Sequence, residues 1–379
     1  MSKGKSQKLL HTPEGVWDHY GRDYAEYEAV QRLISDTFRS YGYEAVRTPT
    51  FEFFDVFSKE IGTIPSNELY KFFDKDGHTM VLRPDFTPSV ARCAAKYYME
   101  ETKPLRFCYE GSAFTNNSNL QGKLKESTQL GAELVNERSV YADAEMLAML
   151  IRSLLSAGLS NFQITVGNVE YFKGICDAAG IDDDMEEELR EYLSGKNYYA
   201  AETLLKGGRV LPLYREQFLK IADFMKNDED LKEVQQTAPN ERAASALQRL
   251  IDVYRVLRLY GVERYVSFDL SLLSKYQYYT GIIFKAYTYG VGDAVATGGR
   301  YDTLLSQFGK DAPAIGFMIR LETLIEALRA QQIGIQVPDA PVTIVWNETN
   351  FEEKLKEAEA LRREGSRVVL AQEDTTCRI

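Results

Sequence analysis

The sequence predicts an α+β protein: an antiparallel sheet flanked by helices, with a helical insertion and a short C-terminal β-α-β segment. Three observations predict it. Short strand-like segments recur along the chain with amphipathic helices between them. A block from about 182 to 253, including MEEELREYL and NERAASALQRLIDVYRVL, changes to charged helix formers. A Pro-bounded linker near Pro338 and Pro341 then precedes a compact strand, helix, strand pattern. These place a main domain over 1–337, with its insertion at 182–253, and a partial domain over 338–379 that is short for an independent unit.

Taken in order, the first helix spans Arg22 to Tyr41, because Tyr24, Tyr27, Val30, Leu33, Ile34 and Phe38 recur at steps of three and four and Gly42 follows as a stop. Tyr43 to Arg47 alternates like a strand and runs into Pro49, which suits a sheet edge or a bend. Further strands are expected at Thr79 to Leu82, Leu105 to Gly111, Gln129 to Val135, Phe162 to Val166, Tyr265 to Leu270 and Gly281 to Tyr287. Helices are expected near Ala142 to Ala157 and Leu321 to Gln331. In the tail, PVTIVW and SRVVLAQ read as strands on either side of the helix FEEKLKEAEALRREG.

Composition excludes several classes. Basic residues open the chain with no apolar run behind them, and the richest apolar stretch, Leu147 to Leu155, is interrupted by Arg152, so neither a signal peptide nor a membrane span is expected. Cys93, Cys108, Cys176 and Cys377 lack C-x-x-C spacing and have only three histidines to join them, which favours reduced thiols in a cytoplasm over disulfides or zinc. A net charge of −11 leaves no electrostatic footprint for nucleic acid over the chain as a whole.

Four segments carry candidate chemistry. In QLGAELV a strand puts Gln129, Gly131 and Glu133 on one face, where an amide and a carboxylate flanking a glycine can cradle an ammonium group; a half-exposed strand with a solvated polar face is the commoner reading of such a segment alone. RPDFT sets Asp85 and Thr87 two residues apart after an X-Pro turn, suited to a small polar ligand or simply to a turn. GGRYD implies close backbone approach at Gly298 and Gly299, without the G-K-[ST] of a phosphate loop. YQYYTG supplies Tyr278 and Tyr279, which point to opposite faces if the segment is extended; aromatic strand residues are also ordinary core.

In their order along the chain these segments resemble class II histidyl-tRNA synthetase. The resemblance begins at PEGVWD and runs through VRTPTFE, VLRPDFTPSVAR, FCYEGSAFTNNSNLQGKLKESTQLGAELV, YQYYTGIIF and AVATGGRYDTLLSQFG to PAIGFMIRLETLIEA. It implies the class II fold, six or seven antiparallel strands flanked by helices, and a dimer formed around VRTPTFE. It also implies a histidine pocket at Asp85, Thr87, Gln129, Glu133, Tyr278 and Tyr279, with aspartate in place of the family's glutamate at position 85. Gln129 and Glu133 would receive the α-ammonium and a tyrosine hydroxyl the imidazole.

The family's ATP side is not matched. Adenylation needs arginines that stabilise charge on the phosphoryl group. The corresponding positions here are Thr115, Ser274 and Thr323, while Arg320 stands where the family has a small glycine. Lys123, Lys125 and Lys275 are nearby cations but occupy none of those positions.

A synthetase-like domain that keeps the amino-acid pocket and lacks these arginines resembles the regulatory-subunit family of ATP phosphoribosyltransferase. That resemblance implies no catalytic residues, cofactor or metal of its own. It implies as partners the short-form catalytic subunit and a second copy of the chain, and histidine as ligand. A divergent histidyl-tRNA synthetase and a stand-alone histidine sensor or RNA-binding module remain open alternatives. The tail resembles the start of the synthetase's anticodon-binding domain.

Overall fold

The computed structural model describes residues 10–58, 65–117, 124–221, 223–273 and 278–373. Ser274, Lys275 and Lys123 therefore lie outside the described residues, as do Cys377, Tyr276 and Gln277. The chain divides into two compact units, Met1–Ile335 and Gln336–Ile379.

The first unit opens with helix α1 (Gly21–Ser40), whose Tyr27, Val30, Ile34 and Phe38 form the buried stripe that the periodicity predicts. Strands β1 (Glu44–Ala45), β2 (Phe51–Phe53), β3 (Lys71–Phe73) and β4 (Thr79–Leu82) follow, then helix α2 (Thr87–Tyr97), which begins on Pro88 in its first turn. A long hairpin joins β5 (Leu105–Phe114) to β6 (Glu126–Val135).

Helix α3 (Val140–Ser156) starts at Ser139, whose side chain accepts from the Ala142 N–H. Strand β7 (Gln163–Asn168) ends at Asn168, which caps α4 (Val169–Ala179), and Gly180 closes that helix in the left-handed region.

The insertion follows as α5 (Asp183–Ser194), α6 (Tyr198–Gly207), α7 (Pro212–Lys220), the short strand β8 (Phe224–Met225) and α8 (Asp228–Gln235). Helix α9 (Glu241–Tyr260) continues past position 253, where the insertion was expected to end. Its Leu250, Ile251, Val253, Tyr254 and Leu257 are buried, so that helix belongs to the main core. The remaining elements of this unit are β9 (Val266–Asp269), β10 (Ile282–Tyr287), β11 (Ala296–Arg300), β12 (Ala314–Arg320) and α10 (Leu321–Ala330). The second unit pairs β13 (Val342–Trp346) in parallel with β14 (Val368–Gln372) across helix α11 (Phe351–Arg363).

Nine of these strands form one sheet in the order β1-β5-β6-β12-β11-β10-β7-β9-β8. It is mixed, which corrects the expectation of an antiparallel sheet of six or seven strands. The central run from β5 to β7 is antiparallel, but β1 joins β5 in parallel and β9 joins β7 in parallel. Both parallel strands are short additions beyond the central hairpin ladder. Strands β2, β4 and β3 form a separate small sheet.

Strand alternation gives the large sheet two different faces. Leu130, Ala132 and Leu134 of β6, Phe317 and Ile319 of β12, and Ile282 and Phe284 of β10 belong to the same buried core as α1, α3, α9 and α10. Phe38 meets Phe317 edge-on at 5.6 Å. The opposite face carries Gln129, Gly131 and Glu133, with Gly316 and Gly299 in the row beside Glu133. Helix α2 covers part of this second face, where Val90, Ala91 and Ala94 pack in one cluster with Phe107, Tyr109, Tyr278 and Tyr301.

Candidate functional site

The site forms where the loop before α2, the tyrosine-bearing turn before β10 and the residue after β11 meet that second face. Arg83 holds the first loop in place. Its Nε donates to the Ser112 carbonyl at 2.8 Å and its Nη1 to the Thr48 carbonyl at 3.0 Å, while the guanidinium lies over the Phe86 ring at 3.8 Å. Phe86 in turn stacks on Tyr109 of β5, with ring centroids 4.4 Å apart. Arg83 is thus a structural clamp that presents Asp85 and Thr87.

Glu133 is the floor of the site and is 0% exposed. The Thr87 hydroxyl donates to its Oε1 at 2.8 Å, the Tyr109 hydroxyl reaches the same oxygen at 3.4 Å, and the Tyr301 hydroxyl donates to Oε2. Among the described residues no cation pairs with it. Burial pushes its pKa up to about 8, aided by the nearby Asp85, while the bonds from Tyr301, Thr87 and Tyr109 pull the other way. Asp85 is also raised, by burial, against the Phe86 and Thr87 N–H bonds and the charge of Arg320. Burial and the neighbouring Glu133 hold the Tyr301 hydroxyl well above its ordinary value, so it remains a donor.

Glycines make the room. A Cβ on Gly316 would lie 1.5 Å from Glu133 Oε2, one on Gly131 would lie 2.3 Å from the Tyr109 hydroxyl, and one on Gly299 would lie 2.6 Å from the Tyr279 ring. Each glycine therefore admits one polar or aromatic group that any other residue would displace.

All six residues expected from the sequence converge on this face. Thr87 and Glu133 are hydrogen-bonded, and Asp85 lies close enough to Glu133 to shift it. Gln129 is 5% exposed, and its Oε1 has no hydrogen-bond partner among the described residues. That strand face is thus buried rather than solvated, and it holds an acceptor without a donor.

Tyr278 and Tyr279 do not diverge as an extended segment would require. Tyr278 lies in a turn, and the two rings stand 4.6 Å apart on the same side. Tyr278 also meets Tyr301 edge-on at 6.1 Å.

Two contributors were not singled out from the sequence. Tyr109 sits two residues before Gly111 on a strand whose alternation faces it toward Gly131. Tyr301 follows Arg300, which is anchored to the fully buried Asp143 through Nε at 3.0 Å; Arg249 binds the other oxygen of Asp143 at 2.6 Å. This buried triad fixes the end of β11 and so aims Tyr301 at Glu133.

On the side where the family resemblance places ATP, the described positions are neutral. Thr115 follows β5 directly, and its N–H donates to the Lys125 carbonyl at 2.9 Å. Thr323 lies in the first turn of α10. Away from the site, Asp74, Asp76 and His78 bring possible metal-ligand atoms together on an exposed turn, but Asp74 is occupied by N–H groups of that same turn. No described helix is long and apolar enough to cross a membrane.

Residues 15–324 match the histidyl-tRNA synthetase family. The ATP phosphoribosyltransferase regulatory subunit of Ruminiclostridium cellulolyticum is 36% identical over 363 residues, covering 96% of this chain and 87% of that protein. The same-named subunit of Acetivibrio thermocellus is 36% identical over 94% of this chain and 85% of its own length. A crystal structure from Bacillus halodurans, described as an ATP phosphoribosyltransferase regulatory subunit/histidyl-tRNA synthetase, superposes with a TM-score of 0.88 at 29% identity. It covers 98% of this chain and 95% of that one.

Proposed function

This chain belongs to the histidyl-tRNA synthetase family and, with the relatives just described, to the ATP phosphoribosyltransferase regulatory subunits. From that premise we propose that it acts in histidine biosynthesis by assembling with the short-form catalytic subunit, raising its activity and conveying feedback by histidine. The chain itself performs no adenylation. What supports this is the contrast between a complete amino-acid pocket and a phosphate side whose described positions, Thr115 and Thr323, are neutral.

Depth within the pocket orders the ligand. Glu133 is fully buried beneath three hydroxyls and Asp85 is only half-buried, while Gln129, itself buried, keeps an oxygen with no donor among the described residues. The imidazole of histidine therefore reaches Glu133 and the tyrosines, and the α-ammonium meets Asp85 and Gln129. This differs from the strand pattern alone, which gave Glu133 to the ammonium.

Feedback needs histidine to bind the less active state of the assembly better than the active one, with a coupling of roughly 1 to 3 kcal/mol. The test is phosphoribosyl transfer by the catalytic subunit with and without this chain, and with histidine added. The rate should rise on assembly and fall with histidine. An unchanged rate in a demonstrated complex would overturn the activating role. Glu133→Ala should weaken histidine binding by about 1.5 to 3 kcal/mol and release the complex from feedback; feedback persisting after binding is lost would move the regulatory site elsewhere.

A further inference from the structure

An amino acid brings a carboxylate of its own to a pocket that already contains two carboxyl groups, Asp85 and Glu133. Without a cation at the mouth that third group would be repelled. The family resemblance places its arginines at positions that here carry Thr115, Ser274 and Thr323, so the usual cations are not available.

Arg320 stands at the mouth instead. It is the last residue of β12 and pairs in register with Gln129, so both side chains rise from the same face. Directly opposite residues of an antiparallel pair have Cβ atoms about 4.5–5.5 Å apart. Its charge reaches Asp85, where it favours the ionised form.

The guanidinium is poorly occupied. Nη1 touches the Ala294 carbonyl at 3.3 Å, and among the described residues no carboxylate pairs with Arg320. A half-buried planar fork whose other N–H groups meet no acceptor among the described residues, beside an amide oxygen with no donor among them, matches the two charged ends of an amino acid. The only other described cation rising among the central strands of this face is Lys285 of β10. It lines up with Thr297 rather than with Gln129 and is separated from β12 by a full strand.

We propose that Arg320 holds the α-carboxylate of the amino acid bound in this pocket, and so selects ligands that bear that carboxylate over counterparts that lack it. This rests on the pocket being an amino-acid site. The arginine that departs from the synthetase pattern thereby serves recognition rather than phosphoryl chemistry.

Calorimetry on the full chain with L-histidine and with L-histidinol, which has an alcohol in place of the carboxylate, tests it. The native chain should bind histidine more tightly. Arg320→Gln should weaken histidine about 10- to 100-fold, as expected for a charge-assisted hydrogen-bonded pair, and change histidinol less than about threefold. Arg320→Lys should restore part of the difference, and Lys285→Gln should leave it intact.

Equal losses for both ligands, no loss for either, or the same selective loss in Lys285→Gln would overturn the assignment. If histidine binds but its affinity ignores Arg320, only the carboxylate assignment falls. If neither ligand binds the native chain, the amino-acid pocket itself is refuted and the role of Arg320 with it.

Discussion

Glu133 is a fully buried carboxyl with no paired cation among the described residues. Unfolded, a glutamate ionises near its ordinary value of about 4.3; in the folded chain, burial pushes Glu133 up to about 8. Between those two values the native state holds a proton that the unfolded chain has lost, so stability falls as pH rises through that window and levels off above it. Glu133→Gln removes the ionisation while retaining an acceptor for Thr87 and Tyr301. The variant should therefore melt higher than the native chain at pH 8, by about 2 °C or more, and the advantage should shrink toward pH 5. A difference that stays constant across that range would show that Glu133 is ionised throughout. The sequence disclosed Glu133 through strand alternation with Gln129 and Gly131, since a period of two puts them on one face. It could not disclose that the face is buried, because burial there comes from Tyr109 and Tyr301, which arrive from elsewhere in the chain.

Elements were most legible where one rule decided them. The stripe of α1 and the strand β4 follow from local periodicity. The tyrosine turn before β10 was not, because two adjacent tyrosines read as an alternating strand unless the chain bends, and the bend is set by contacts with β11 and α4. There Thr280 takes its N–H to the Arg300 carbonyl at 2.8 Å, and the Gly281 carbonyl receives the Val169 N–H at 3.0 Å. The β5–β6 hairpin shows the same division. Its register follows from alternation, but the consequence of Thr115 at its base depends on α10, where Thr323 lies. Losing one preorganised donor costs about 10² to 10³ in rate, so histidine-dependent exchange of pyrophosphate into ATP should be absent. Thr115→Arg alone should not restore it, because Thr323 remains neutral on the facing element. Robust exchange by either protein would contradict a purely regulatory role.

At the scale of the whole molecule, the small β2-β4-β3 sheet presents a surface that the isolated chain leaves uncovered. Phe51 and Phe53 are each more than half exposed, and Phe72 packs edge-on against Phe51 at 5.7 Å on the same face. An aromatic patch of this kind marks an interaction surface, and it lies within and just after VRTPTFE, where the family resemblance places a dimer. The sequence marked the segment but not the patch, since alternation on a three-residue strand is too short to distinguish the outward face from the inward one. In a two-fold dimer each substitution is felt twice, once from either copy. Phe51→Glu combined with Phe53→Glu therefore places four carboxylates in the contact and removes four buried rings, each worth roughly 1.5 to 3 kcal/mol when fully covered. Sedimentation should show the native chain as a dimer and the double variant as a monomer at micromolar concentration. Histidine binding should survive in the variant, because the pocket lies on the large sheet and is built from one copy alone. Activation of the catalytic subunit should fall, since a dimer offers a partner two attachment points where a monomer offers one. A double variant that stays dimeric would place the contact on another surface; one that is monomeric yet activates fully would show that each copy works alone.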